Sequence, residues 1–390
     1  YFVSTEISFT LGFSHILLVA FGLWVFSARG KPVTYNELTM FRAGGYLGYA
    51  AILLFTGRAY YWAVARKAFF VGKPQPLYAG SVMAARIFVL AFAGFVAVLT
   101  VAGFHWALAL VFALLLMLTF LVMTRMVCEG GIPLLQPGWQ PGSAMTSLLG
   151  PAALGPKGLV WANYLGTVIA EDPRECLMPY ASTALRVGDD SGLRMRRLFW
   201  ILVVAVVLAT GIGFTATLWS LYNYGGMATD GYASRSPPVK YFDRAAKSIM
   251  DLRGVGMLEE SGRAGGLRKL SMIAPEPDRA LHFALGVVAV IACAALRFRL
   301  SRFPIHPFLF LIVGTYAGKM CWYSFLVGWT VKCLIVRFGG GKVYQNLKPL
   351  MIGIIAAELM AVGLCITITM FYFWLTGGDI PSINFGILPG

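Results

Sequence analysis

The sequence contains eight long apolar runs, and each is close to or above the roughly 20 residues that a membrane-spanning helix needs. Hydrophobic residues make up 58% of the chain and charged residues 13%, whereas soluble globular domains carry about 25% charged residues. We therefore expect an all-α polytopic membrane protein with about eight transmembrane helices. The predicted spans are residues 7–26, 44–64, 84–104, 105–123, 198–222, 280–296, 308–336 and 350–374.

The chain carries a net charge of +15. Most basic residues flank apolar runs, where they anchor helices to anionic lipid headgroups and orient them. We therefore expect these residues to contact the lipid bilayer, and we expect no nucleic acid partner. The six cysteines have no CxxC spacing, so the sequence predicts neither a disulfide framework nor a zinc site.

Two membrane-embedded parts are predicted on either side of a polar extramembrane loop. Residues 1–223 form the first part, residues 224–278 the loop, and residues 279–390 the second part, which ends in a hairpin of the last two spans. The loop contains one amphipathic helix, which we expect to lie on the membrane surface. Its apolar face is formed by Tyr241, Ala245, Ile249 and Leu252.

A stretch rich in proline and glycine interrupts the first part at residues 127–158. Non-helical backbone at membrane depth is tolerated only where protein or a water-filled cavity covers it. The stretch therefore predicts a re-entrant or broken-helix element, and a partly ordered surface loop is the alternative. Discontinuous segments of this kind mark the binding sites of transporters. The charged residues 171–197 that follow are predicted to lie along the interface.

Several ionisable residues fall within or beside the apolar runs. Arg125 and Glu129 share a helix face at spacing i, i+4 and neutralise each other there. Lys319 and Glu358 lie inside the last two spans, where each charge costs roughly 2.5 to 3.5 kcal/mol and needs a partner, a cavity or a ligand. We expect a polar pathway lined by Arg125, Glu129, His306, Lys319, Trp322 and Glu358. A Lys319–Glu358 ion pair that only stabilises the bundle is the alternative.

Glycines and one proline border these segments and are predicted to act as hinges or re-entrant turns. They are Gly130, Gly131, Pro133, Gly339 and Gly340. Catalytic signatures such as HExxH, GxSxG and a complete P-loop are missing from the sequence. We therefore expect neither enzyme activity nor a cofactor or metal site.

Four segments together resemble the oligopeptide transporter (OPT) superfamily, specifically its bacterial branch of unknown function. They are RMVCEGGIP at residues 125–133, PIHPF at 304–308, WYSFLVGWTVKCLIVRFGGGKVY at 322–344 and KPLMIGIIAAEL at 348–359. The recurring positions of the family match Arg125, Glu129, His306, Trp322, Lys332, Gly339, Gly340 and Glu358.

The resemblance implies a secondary active transporter in the bacterial cytoplasmic (inner) membrane that moves small peptides or metal chelates with protons or cations. Family members have about twice as many spans, arranged in two halves. Either an amino-terminal portion precedes the given sequence, or the protein is a reduced relative. The alternative function is a non-transporting membrane scaffold that assembles as a homo-oligomer or with other membrane subunits.

Overall fold

The computed structural model describes residues 1–69, 79–132, 135–170, 176–226, 231–265, 268–300 and 303–376, and these residues contain helices and no strand. The first helices are α1 (Thr5–Arg29), α2 (Tyr35–Thr56), α3 (Arg58–Ala68), α4 (Ala79–Val101), α5 (Trp106–Gly130), α6 (Pro141–Leu149), α7 (Pro151–Ala170), α8 (Leu177–Asp190) and α9 (Met195–Tyr224). The others are α10 (Gly231–Gly254), α11 (Leu258–Arg263), α12 (Arg268–Ser271), α13 (Pro277–Arg299), α14 (Phe308–Ile312), α15 (Tyr316–Met320), α16 (Trp322–Leu334), a π-helical turn (Ile335–Gly339) and α17 (Gly340–Thr376).

The predicted fold class is confirmed. The described residues form seven helical stretches that are long and apolar enough to cross a membrane. These stretches are Thr5–Arg29, Tyr35–Thr56, Gly80–Val101, Trp106–Gly130, Met195–Tyr224, Pro277–Arg299 and Trp322–Thr376. Seven replace the predicted eight because the last stretch continues for 55 residues and absorbs the last predicted span and most of the one before it.

Helix α2 crosses α13 at very short distance, and this crossing is at the centre of the bundle. Gly44 lies against the backbone of Phe283, and Gly286 lies against the backbone of Phe41. A Cβ atom added at either glycine would overlap the facing carbonyl oxygen. The crossing therefore depends on small residues, as helix contacts in membranes commonly do.

The predicted second span is displaced in the structure. It was placed at residues 44–64, whereas α2 begins at Tyr35 and ends at Thr56, with Gly57 separating it from α3. Thr34 and Glu37 form a capping box that fixes the start of α2. The helix therefore contains nine residues that precede the predicted span.

The proline- and glycine-rich stretch is a broken helical segment. Helix α5 ends at Gly130 and is followed by Gly131, which has a φ of 60°, and α6 is followed by Gly150 with a φ of 85°. Helix α7 is interrupted at Gly155, which has a φ of 72° and precedes Pro156. Most of the described residues from 135 to 170 are buried, so protein covers this irregular backbone.

Residues from the predicted polar loop satisfy carbonyl groups that the breaks leave without helical partners. The Ala274 amide donates to the carbonyl of Leu149 at 3.1 Å, and the Ser261 hydroxyl donates to the carbonyl of Ala152 at 2.7 Å. The ammonium of Lys269 donates to a third carbonyl, that of Leu154, at 3.2 Å. The loop is therefore a structural part of the bundle.

The apolar face of α10 packs against α7 and not against the membrane surface. Ala245 and Leu252 are buried, and Ile249 packs beside Leu252 in the same cluster as α7. The expected membrane-surface position is wrong because protein covers this face. The side chain of Tyr241 lies outside the described part of the structure.

The predicted span at residues 308–336 is also wrong, because it is a second broken segment. Helix α14 ends at Ile312, and Gly314 has a φ of 72°. Thr315 then caps α15 through its side chain. A further break at Cys321 separates α15 from α16.

The final hairpin does not form a packed pair. Helix α16 packs against α1, where the rings of Trp329 and Phe9 are 5.2 Å apart. Helix α17 follows the π-helical turn as an arm that has no buried residue and no packed interface with α16. The C-terminal arm, α17, thus leaves its apolar side chains to lipid or to another chain.

Candidate functional site

A polar cavity of about 570 Å³ opens between the start of α2, the first broken segment, α10 and the start of α13. Its inner surface includes three buried polar residues, Thr39, Gln140 and Asn163, and the buried indole of Trp139. Trp139 and Gln140 lie just before α6, where the irregular backbone allows consecutive side chains to face the same space. The break in the helix therefore supplies much of the cavity floor.

Charged residues of both signs surround the cavity mouth. Arg244 donates to the side-chain oxygen of Gln140 at 2.7 Å. Arg279 pairs with Glu276 at 2.8 Å. Lys247 and Asp251 are one turn apart on α10, line the cavity and form no ion pair with each other in the described structure. The mouth thus presents a cation and an anion to an incoming solute.

Arg42 lies on α2 beneath the cavity floor and is only 1% exposed. Its guanidinium donates to the carbonyl of Gly138 at 2.7 Å, to the carbonyl of Val313 at 3.0 Å and to the hydroxyl of Thr39 at 3.3 Å. No acidic side chain of the described residues pairs with it. Arg42 therefore joins both broken segments to α2 through backbone oxygens.

Two glycines permit this close approach. Gly138 and Gly314 have φ values of 65° and 72°, in the region that favours glycine. A Cβ atom at Gly138 would lie 2.9 Å from Nε of Arg42, and one at Gly314 would lie 3.1 Å from Nη1. Both breaks thus bring backbone against the same guanidinium.

A polar stripe follows one face of α2 through the bundle. We define it as Tyr35, Thr39, Arg42, Tyr46 and Tyr49, whose spacings of 4, 3, 4 and 3 residues place them on one helix face. The stripe is about 21 Å long, at 1.5 Å per residue. Its first member is exposed and lines the cavity, and the other four are buried.

The stripe ends at the Arg125–Glu129 pair. Nε of Arg125 lies 2.6 Å from a carboxylate oxygen of Glu129, as the sequence spacing predicts. The Tyr49 hydroxyl interacts with Arg125, and the Tyr49 ring meets the Phe308 ring edge to face at 5.4 Å. The side chains of Arg125 and Glu129 are 52% and 37% exposed, so this end of the stripe reaches the protein surface.

His306 is buried beside this end of the stripe. Its backbone amide donates to the Thr10 hydroxyl at 2.9 Å, and its Nδ1 accepts from the Phe308 amide at 3.2 Å. Burial, reinforced by the positive charges of Arg297 and Arg125, lowers the pKa of His306 to about 4. His306 is therefore neutral at neutral pH and acts there as a hydrogen-bonding residue.

None of the six predicted pathway residues lines the cavity, and three of them also lie apart from the polar stripe. Lys319 is exposed at the end of α15, and Glu358 is exposed on the C-terminal arm. They form no ion pair within the described part of the chain, so the alternative of a Lys319–Glu358 ion pair is wrong. Trp322 begins α16, and its ring stacks on His15 with 5.5 Å between centroids. The structure thus brings together Arg125, Glu129 and His306 but not the other three.

The predicted hinge glycines lie at helix boundaries. Gly130 ends α5, and Gly131 follows it in a left-handed conformation. Gly339 ends the π-helical turn, and Gly340, with a φ of 70°, separates that turn from the C-terminal arm. Pro133 lies outside the described residues.

The described residues contain no cluster of three or more His, Cys, Asp or Glu side chains that could hold a metal ion. The cysteines are free thiols at six separate positions. The hydrogen-bond donors that line the cavity are mostly hydroxyl, amide and cationic groups. This chemistry suits an organic solute better than a bare cation.

Sequence reasoning missed the polar stripe and the cavity floor. Arg42 lies two residues before the predicted second span, and basic residues at span ends ordinarily anchor to headgroups. Tyr35, Tyr46 and Tyr49 are common residues at membrane interfaces. The regular spacing of polar residues between positions 35 and 49 is the signal that would have revealed a shared buried face.

No curated protein matches this chain, and no solved structure matches it. The protein family described as "Family of unknown function (DUF6785)" matches residues 1–376, which is nearly the whole chain. This match includes both broken segments, the polar stripe and the C-terminal arm. The chain therefore belongs to the DUF6785 family.

Proposed function

We propose that this protein is a secondary active transporter, coupled to protons or cations, for small peptides or metal chelates. The polar stripe on α2 is the observation that carries the proposal. Polar and charged groups inside a membrane bundle are costly, and they typically mark substrate or ion pathways. Here such groups extend from an open cavity to a half-exposed ion pair at the other end of the helix.

The two broken segments support the same function. Transporters commonly build their binding sites from discontinuous helices, whose free backbone groups face the substrate or ion. In this protein both breaks meet at Arg42, which bonds to the carbonyls of Gly138 and Val313. A change in one segment is thereby transmitted to the other.

The cavity fits a small zwitterionic solute. Its volume of about 570 Å³ lies within the roughly 300 to 1,000 Å³ of typical ligand pockets. Lys247 and Asp251 at its mouth match the carboxylate and the amine of a short peptide, respectively. A chelate of a metal with an amino acid or peptide has the same groups on its surface.

Glu129 is the residue that we assign to ion coupling. Its carboxylate lies beside Arg125 at the surface end of the polar stripe, where an ion or proton from solution reaches it. Binding of a proton there weakens the pair with Arg125 and frees that guanidinium. Glu358 of the C-terminal arm lacks a comparable contact with the stripe.

Uptake by proteoliposomes tests this proposal. The full-length protein should accumulate a short labelled peptide or its metal chelate under an imposed proton or sodium gradient. Glu129→Gln removes the ionisable group while keeping the side-chain size, so gradient-driven uptake should fall by at least about tenfold, the effect of 1.4 kcal/mol. Exchange of substrate without a gradient should continue.

Glu259→Gln is the matched control, because Glu259 forms an i, i+4 pair with Arg263 that is exposed and away from the polar stripe. This variant should transport at the wild-type rate. Equal gradient-driven uptake by the wild type and Glu129→Gln would contradict the coupling assignment. If neither the peptide nor its metal chelate is taken up by the wild type, the proposal of a transporter is contradicted.

A membrane scaffold is the second candidate, and the C-terminal arm favours it. Only 6% of the most apolar part of α9 is buried, and none of the most apolar part of residues 322–376 is buried. Apolar surface of this extent suits contact with other membrane helices as well as with lipid. Deletion of residues 341–376 should leave uptake intact in the transporter and abolish co-purification of other subunits in the scaffold.

A further inference from the structure

Three buried polar groups beneath the cavity floor have no hydrogen-bond acceptor in the described structure. They are Nε of Arg42, the hydroxyl of Tyr46 and the indole nitrogen of Trp139. Each residue is at most 3% exposed. An unpaired donor at such a position is destabilising, and three in one region indicate a missing acceptor.

The three groups belong to one cluster. Arg42 and Tyr46 are one turn apart on the same face of α2. The Tyr46 ring meets the Trp139 ring edge to face, with 5.7 Å between centroids. Gly138, which precedes Trp139, lies directly against Nε of Arg42. Two N–H groups and a hydroxyl without acceptors thus lie where α2 meets the first broken segment.

No acidic side chain among the described residues balances the charge of this cluster. The other donors of Arg42 bond to carbonyl and hydroxyl oxygens, which are neutral. A buried cation is stable when an anion or a dense set of dipoles compensates it. The cluster therefore has the composition of an anion site that lacks an acidic residue of its own.

We propose that Arg42, Tyr46 and Trp139 form a carboxylate-binding subsite at the floor of the polar cavity. This inference rests on the proposed function, since the carboxylate is that of the transported substrate. Trp139, Gly138 and Thr39 belong both to the cavity lining and to the surroundings of Arg42, so the cluster adjoins the cavity. A free inorganic anion shares the same chemistry.

Thermal unfolding of the purified full-length protein in detergent tests the subsite without requiring transport. The probes are the dipeptide alanyl-alanine, its C-terminal amide, sodium acetate and sodium chloride. The dipeptide should raise Tm in a saturable manner, because it binds the folded state. The amide lacks the carboxylate and should have no effect.

Tyr46→Phe removes the hydroxyl and keeps the ring, whereas Trp139→Phe removes the indole N–H and leaves a smaller ring. Without ligand, the Tm of Tyr46→Phe should equal or exceed that of the wild type, because a buried unpaired donor is lost. The half-saturating dipeptide concentration should rise at least about tenfold in each variant, the effect of one hydrogen bond to a charged group. Trp161→Phe, at a partly buried position on α7, should bind like the wild type.

Stabilisation by acetate and chloride that the two variants lose would support the same site with a free anion as its occupant. The proposal is overturned if no probe shifts Tm, or if the shifts are the same in the wild type and both variants. Carboxylate-dependent binding without uptake would keep the subsite and contradict the transporter. Uptake with no carboxylate effect would contradict only the subsite.

Discussion

Arg42 shows why individual site residues were harder to predict than helices. Its position before an apolar run is typical of an anchoring residue, and only the capping box at Thr34 and Glu37 extends α2 far enough to bury it. Glu358 is the opposite case. Its position inside an apolar run predicts a buried functional acid, but the C-terminal arm carries it away from the core.

At the same scale, His306 should make the stability of the protein depend on pH. Its pKa is lowered to about 4 from an ordinary value of 6.5, so the unfolded state binds the proton more readily. The stability that comes from the neutral His306 is therefore present above pH 6.5 and is lost as the pH falls toward 4. Between pH 7 and pH 5 the loss should be about 2 kcal/mol, measured as a lower Tm.

His306→Asn is the test variant, because its side-chain oxygen replaces Nδ1 as the acceptor for the Phe308 amide. It should show a smaller decrease in Tm between pH 7 and pH 5 than the wild type. An identical decrease in Tm for the wild type and His306→Asn would rule out the buried neutral histidine.

At the scale of elements, apolar length and proline–glycine content predicted much of the architecture. Runs of about 20 apolar residues located most of the long helices, and the cluster of prolines and glycines located the first broken segment. The second broken segment was missed because Phe308, Leu309 and their neighbours continue the apolar pattern across Gly314. A single glycine in an apolar run carries too little signal to predict a break.

The crossing of α2 and α13 should be sensitive to any added side chain. Gly286→Val places methyl groups where the backbone of Phe41 lies. Overpacking of this kind costs about 1 to 3 kcal/mol, and here backbone rather than a flexible side chain must move. The variant should have a clearly lower Tm and poor yield in membranes.

Gly94→Val is the matched control, because nothing lies within 4 Å of a Cβ atom at that position on α4. Its Tm should stay close to that of the wild type. Equal Tm values for the two variants would show that the close crossing does not determine stability.

At the scale of the whole molecule, the two candidate functions predict different dynamics. A scaffold keeps the polar stripe buried in one structure. A transporter exposes the same residues to water in a second state, even where that state is a small fraction of the molecules. Sequence patterns gave the membrane class, but they could not give this distinction, because it depends on how the broken segments and α2 meet in three dimensions.

Water accessibility of Tyr46 is the measurement that tests the transporter most directly. In a variant without native cysteines, Tyr46→Cys should react with a water-soluble maleimide in proteoliposomes, at about a tenth to a thousandth of the rate of the exposed reference Ser191→Cys. Met40→Cys, buried on another face of α2 in the apolar core, should stay unreactive. Reaction at position 46 that substrate slows or accelerates is the result we predict. Equal protection of positions 46 and 40, with and without substrate, would contradict a transport pathway along α2.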